Sequence, residues 1–164
     1  MSALLLRPAG LDDMPALIDL FRRSVLLGAA EHYDVRQRQA WIAVAKDEEA
    51  FAVRLDDAAT VMAERAGTPL GFASFGDERI DMLYVDPAHH RQGVARALIE
   101  AVELIALTSG IERLSVDASD AAEPFFAALG YLRLRRNRVE RAGVVLANTT
   151  MEKRLEAQSH AGDA

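Results

Sequence analysis

The chain contains no cysteine, a single tryptophan and three tyrosines among 164 residues. Without cysteine there is no disulfide, no thiolate nucleophile, no enzyme-bound thioester and no cysteine-based metal site. No apolar run approaches the ~20 residues that span a bilayer. The opening MSALLLRPAG has neither the basic start nor the long apolar core of a secretion signal, so the simplest expected compartment is the cytoplasm. Positive charge is also short. A net charge of −6 argues against broad binding to nucleic acid and suits a cationic acceptor. What the chain has in quantity is hydrophobic residues, 51% of the total, enough for a real core at a common domain size. The expectation is one domain over residues 1–156 and a flexible tail over 157–164.

The most informative stretch is IDMLYVDPAHHRQGVARAL, Ile80 to Leu98. Ile80 to Val85 reads as a short buried strand, ended by Asp86 and by Pro87, which cannot donate to a sheet ladder. From Val94 the apolar residues Val94, Leu98, Val102 and Ile105 recur at helical spacing. Between the two lies HHRQGVA, with Gly93 where a side chain would obstruct close approach. A helix start carries unpaired N–H groups and partial positive charge, which suits phosphate, and Arg91 and Arg96 add charge. The loop lacks the three glycines of a dinucleotide fingerprint and the Lys-hydroxyl pair of a nucleotide-triphosphate loop.

Ala3 to Arg7 reads as a first strand, followed by a helix that Asp12 or Asp13 could cap, with Met14, Leu17, Ile18, Phe21 and Val25 on one face. A polar segment with His32, Tyr33 and Trp41 reads as a loop and short helix. Thr60–Glu64 and Leu70–Phe75 read as strands joined by Ala66-Gly67-Thr68-Pro69. Beyond the central segment, Arg113–Val116 reads as a strand and Ala121–Leu129 as a helix stopped by Gly130. Tyr131–Val139 and Val144–Lys153 read as a final hairpin. Its edge leaves room for a homodimer.

Residues His90-Arg91-Gln92-Gly93-Val94-Ala95 resemble the acyl-CoA signature [QR]-x-x-G-x-[GA] of the GNAT superfamily of N-acetyltransferases. His90 departs from the first position, while Gly93 and Ala95 match. The flanking LYVDP and RALIEAVE, and VDASDAAEPFFAALGY with its Leu-Gly-aromatic step, extend the resemblance over nearly the whole chain. The implied fold is α/β (α+β): a mixed central sheet of about six or seven strands flanked by about four helices, in the order β-α-α-β-β-β-α-β-α-β-β. The resemblance implies acetyl-CoA as acyl donor and no metal. It implies that the backbone of Leu83 and Val85 pairs with the pantetheine arm. It further implies that His90, Arg91, Gln92, Gly93, Val94, Ala95 and Arg96 form the pyrophosphate loop.

Acyl transfer to an amine needs a polarised carbonyl, a proton acceptor for the amine and a proton donor for the thiolate. On an extended strand Asp81, Leu83 and Val85 face one way, and Ile80, Met82 and Tyr84 the other. A carboxylate in an otherwise apolar strand is costly unless paired or at a cleft. Asp81 is therefore the candidate for receiving the amine, as base or as anchor; the alternative is a structural pair with an arginine. Glu78 is a weaker candidate. The family's usual tyrosine acid is replaced by Phe126, which has no proton to give. Tyr84, Tyr33, Ser119 or water could substitute, and Tyr84 could equally be a core aromatic.

Tyr33 and Trp41 are candidate acceptor-binding residues, able to stack on a flat ligand or hold a cation. His89 and His90 have no second pair of ligands at metal spacing. The arginines Arg133, Arg135, Arg136, Arg138 and Arg141 read as a solvated strand face, with binding of an anionic acceptor as the alternative. The leading reading is direct acetyl transfer to a small-molecule amine. A protein N-terminal or lysine acetyltransferase and a non-catalytic acyl-CoA-binding module are the alternatives.

Overall fold

The computed structural model describes residues 3–156, so the expected tail from 157 lies outside the described residues. The elements are β1 (Leu5–Pro8), α1 (Met14–Arg23), α2 (Val35–Ile42), α3 (Glu48–Asp57), β2 (Ala59–Arg65), β3 (Thr68–Gly76), β4 (Arg79–Val85), α4 (Val94–Thr108), β5 (Arg113–Ser119), α5 (Glu123–Ala128), β6 (Leu132–Arg141) and β7 (Val144–Arg154). All seven strands form one sheet in the order β1-β2-β3-β4-β5-β7-β6. Its neighbours are antiparallel except β4 and β5, which run parallel.

Each face of the sheet carries a core. On one, Val94, Leu98 and Val102 of α4 pack on Val61, Ala73 and Ile80. On the other, Leu17 and Phe21 of α1 and Phe51 and Leu55 of α3 pack on Met62, Phe72 and Met82. Ile105 leaves the α4 stripe, being 39% exposed, and Ala106 is buried in its stead. The buried stripe thus continues at four-residue spacing through Val94, Leu98, Val102 and Ala106, with Ile99 beside it.

Two helices, not one, connect α1 to β2. Asp34 caps α2 by accepting from the Gln37 N–H at 2.7 Å, and Gln37 returns to the Asp34 N–H. Asp47 caps α3 by accepting from the Ala50 N–H. The extra helix α3 buries only Phe51 and Leu55, worth roughly 1.5–3 kcal/mol each. Asp13 does not cap α1 with its side chain. It accepts from the Gly10 N–H and takes both guanidinium ends of Arg7, which also reaches Glu64.

The register between β3 and β4 slips by one residue. Ser74 pairs with Met82 and Phe75 with Ile80, so Asp81 is an unmatched bulge residue. The slip overturns the simple alternation expected from sequence. Ile80 shares the α4 face with Leu83 and Val85, whereas Asp81 reaches Arg54 of α3 on the opposite side. Without the bulge, the carboxylate would enter the α4 core.

Gly71 of β3 has no room for a side chain against β4 and α4. A Cβ there would lie 2.9 Å from the Tyr84 carbonyl oxygen and 3.2 Å from Leu98 and Val85 side-chain atoms. Gly71→Ala is expected to destabilise the protein by roughly 1–3 kcal/mol, seen as a fall of several degrees in thermal midpoint. An unchanged midpoint would show that the two strands can part at no cost.

Candidate active site

Parallel pairing of β4 with β5 covers only Arg79–Ser115 and Ile80–Val116. Beyond that point the strands diverge. The Asp86 N–H donates to the Leu70 carbonyl of β3. The two-residue strand period therefore turns the Tyr84 and Met82 amides toward β3, and those of Leu83 and Val85 toward the gap. The Val85 carbonyl is already engaged, accepting from the Ser24 hydroxyl at 3.1 Å and lying 3.3 Å from His90 Nε2. The Leu83 N–H and carbonyl and the Val85 N–H remain for an extended ligand.

The gap opens into a cavity of about 610 Å³ between the turn after β4, the start of α4 and α5. Leu83, Val85, His90, Arg91, Gly93, Val94, Ala95 and Arg96 all line it. Gln92 does not; its amide oxygen accepts from Arg65 at 3.1 Å and lies near His89, which ties the loop to the β2–β3 hairpin. Arg91 has φ 62° and Gly93 φ 80°, so the chain bends into a concave run of N–H groups before α4. A Cβ at Gly93 would meet nothing in the protein within 4 Å. Glycine is needed here for the left-handed backbone and for ligand approach, not to avoid a protein clash.

A second cavity, about 200 Å³, lies on the other side of β4 under α2, α3 and the β6–β7 hairpin. Trp41, Leu83, Tyr84, Ser119 and Ala122 line both cavities, so the two meet at those residues. The Trp41 indole N–H donates to the Tyr84 hydroxyl oxygen at 3.1 Å. Because indole can only donate, the Tyr84 O–H keeps its proton for another acceptor. Burial pushes the Tyr84 phenol up to about 12, although the Trp41 hydrogen bond and the nearby Arg54 and Arg141 charges pull it down. Phe126 is buried and lines the same cavity, with no hydroxyl to offer.

Asp81 lies at the cavity wall. Arg54 grips both its oxygens, Nε to Oδ2 at 2.8 Å and Nη2 to Oδ1 at 2.7 Å, and the carboxylate in turn raises the Arg54 guanidinium above its ordinary value. Such a half-exposed pair contributes about 1 kcal/mol or less to stability, so its main effect is orientation. A carboxylate has about four lone-pair sites, which leaves Asp81 capacity for a further donor.

Tyr33 and Trp41 stack edge-to-face with ring centroids 5.3 Å apart, and both line the small cavity. The Tyr33 hydroxyl is spent: it donates to the Ala147 carbonyl and accepts from the Asp120 N–H, each at 2.9 Å. Tyr33 is thus a wall and a brace. Ser119 Oγ accepts from the Ala122 N–H at 3.2 Å, ahead of α5, whose N-cap is Ala122. Glu78 sits in the β3–β4 turn and lines neither cavity.

Sequence reasoning missed Arg54, Arg79 and Asp117 and placed Arg141 in the arginine strand face; all four line the small cavity. Arg79 pairs with Asp117 across the two residues where β4 and β5 still touch. Of the arginine cluster, Arg133 pairs with Glu123 and Arg136 with Asp120, so it is only partly a solvated face. Among the described residues, no group of three or more His, Cys, Asp or Glu side chains could hold a metal, and no helix is long and apolar enough to cross a membrane.

Residues 29–155 match the acetyltransferase (GNAT) domain family. The chain is 35% identical over 139 residues to the uncharacterised N-acetyltransferase YafP of Escherichia coli K12, covering 85% of this chain and 88% of that one. The crystal structure of a GCN5-related N-acetyltransferase from Rhodopseudomonas palustris superposes with a TM-score of 0.91 at 42% identity, covering 94% of this chain and 98% of the other. The PaiA N-acetyltransferase of Thermoplasma acidophilum, solved with coenzyme A, shares the fold with a TM-score of 0.75 at 18% identity, over 93% and 99% of the two chains. With the splayed strands, the glycine loop and these likenesses together, the chain belongs to the GNAT family of N-acetyltransferases.

Proposed function

We propose that the chain transfers an acetyl group from acetyl-CoA directly to the primary amine of a small molecule, with both substrates bound at once. The observation that carries this reading is the meeting of the two cavities at Leu83, Tyr84 and Ser119, beside an oriented carboxylate. The larger cavity fits the donor. The free Leu83 and Val85 amides suit the pantetheine arm, and the Arg91–Arg96 loop with its open space at Gly93 suits the pyrophosphate.

Bound there, acetyl-CoA supplies a thioester that accepts the amine and a thiolate that departs. Asp81 draws the acceptor ammonium to the junction and takes one proton from it, directly or through water, while Arg54 holds the carboxylate in place. The Leu83 N–H is available to polarise the carbonyl as the C–N bond forms. As the C–S bond breaks, Tyr84 gives its proton to sulfur and regains one from the amide nitrogen through solvent. The absence of cysteine excludes a thioester-linked enzyme intermediate, which favours direct transfer. A cavity of about 200 Å³ roofed by a hairpin supports a small acceptor over a polypeptide. Asp81 and Tyr84 at its floor support turnover over binding alone.

Gly93→Val is expected to weaken acetyl-CoA binding by about tenfold or more in titration calorimetry; unchanged affinity would sink the loop assignment. Asp81→Asn should lower kcat/KM for the amine about 10- to 100-fold with acetyl-CoA affinity intact, and survival of turnover would make Asp81 purely structural. Tyr84→Phe should lower kcat about 100-fold. Because burial keeps the phenol protonated up to about 12, wild-type kcat should not fall as pH rises through 10. A falling limb at 10 that vanishes in the variant would show an unshifted phenol.

A further inference from the structure

The small cavity has more positive charge than its own carboxylates answer. Three guanidinium groups line it, from Arg54, Arg79 and Arg141, against two carboxylates, Asp81 and Asp117. The carboxylates are taken: Arg54 holds Asp81, and Arg79 holds Asp117, which also accepts from the Thr150 hydroxyl at 2.6 Å. Arg141 makes no ion pair or side-chain hydrogen bond among the described residues. In a chain with net charge −6, this is a local reversal.

Arg141 is exposed, but the hairpin that carries it is tied down. It closes the β6–β7 hairpin opposite Val144, across the two-residue turn Ala142-Gly143 with φ 48° and 75°. Val139 and Arg141, two residues apart on one strand face, both line the cavity. The Gln37 amide of α2 donates to the Val145 carbonyl, and Tyr33 holds Ala147, so the hairpin is tied down behind the arginine.

Resting on the small-amine reading above, we infer that the acceptor carries an anionic group beside its amine, and that Arg141 binds this group while Asp81 receives the ammonium. A guanidinium recognises a carboxylate and a phosphate by the same fork of donors, so the shared chemistry is a compact oxyanion. At ~30 Å³ per water, the cavity holds a molecule displacing roughly seven waters, which fits an amino-acid-sized zwitterion. A purely cationic polyamine would leave Arg141 facing like charge, which disfavours binding.

Trp41, the only tryptophan, lines both cavities, so once acetyl-CoA saturates the donor side a further change in its emission on adding amine reports acceptor binding separately from turnover. The experiment compares matched amines on the full chain with acetyl-CoA: β-alanine against β-alaninamide, and O-phosphoethanolamine against ethanolamine. Both tryptophan emission and thiol release are followed in wild type and Arg141→Gln. The expected result is a preference of about tenfold or more for one anionic member over its neutral partner, lost in Arg141→Gln while acetyl-CoA affinity is retained. Which pair shows it tells carboxylate from phosphate. Equal use of charged and neutral amines, a preference that survives Arg141→Gln, or no response to either anion overturns the inference. Thiol release without anion preference fells it and leaves the acetyltransferase reading standing. An Arg141-dependent emission change with no thiol release for any amine does the reverse.

Discussion

Parallel pairing between β4 and β5 ends after Ile80 and Val116, and the rest of the site depends on that divergence. A sheet that stayed closed would satisfy the Leu83 and Val85 amides internally and leave no passage through its middle. Leaving buried amide groups unpaired costs about 1–3 kcal/mol apiece, so the opening has to be supported. Part of the support is visible at Val85, whose carbonyl is met by Ser24 from the segment after α1 and by His90 from the loop before α4. The same divergence puts Tyr84 and Ser119 where one cavity becomes the other.

Most of the fold was legible because its signals are local. Proline, glycine and the Val94-Leu98-Val102 spacing mark the turn from β4 into α4, and Ala66-Gly67 and Ala142-Gly143 mark two hairpins. Helix α3 escaped notice because it buries only Phe51 and Leu55, too few apolar positions to declare a face. The bulge at Asp81 escaped for a different reason: it belongs to the pairing of β3 with β4, and no single segment encodes it. Arg54 lies 27 residues from Asp81 and entered view only with the helix that carries it. His90, the departure from the family signature, turns out to lean on the Val85 carbonyl, a contact that no spacing rule announces.

The side of the sheet that holds the smaller cavity is organised by arginines that bridge elements. Arg54 joins α3 to β4, Arg79 joins β4 to β5, and Arg136 joins β6 to the segment before α5. Each such pair is weak as a stabiliser when half-exposed, yet each sets where a charge stands. Tyr33 adds a neutral brace, one hydroxyl holding both β7 and the turn after β5. The cavity is therefore bounded by fixed charges and by rings whose polar atoms are already committed, with Tyr84 keeping its proton.

The unmatched residue in β4 has a consequence for how such a chain can vary over time. Strand faces are assigned by counting in twos, and the bulge adds one to the count between Ile80 and Met82. Losing Asp81 itself would leave Ile80 followed by Met82 in plain alternation, with every other face kept, whereas losing any other single residue of the strand would exchange the faces on one side of the change. The single-residue length change that the strand can absorb is the one that removes the acid. The one-residue slip, more than the identity of any one neighbour, keeps the acid on the α3 side of the sheet.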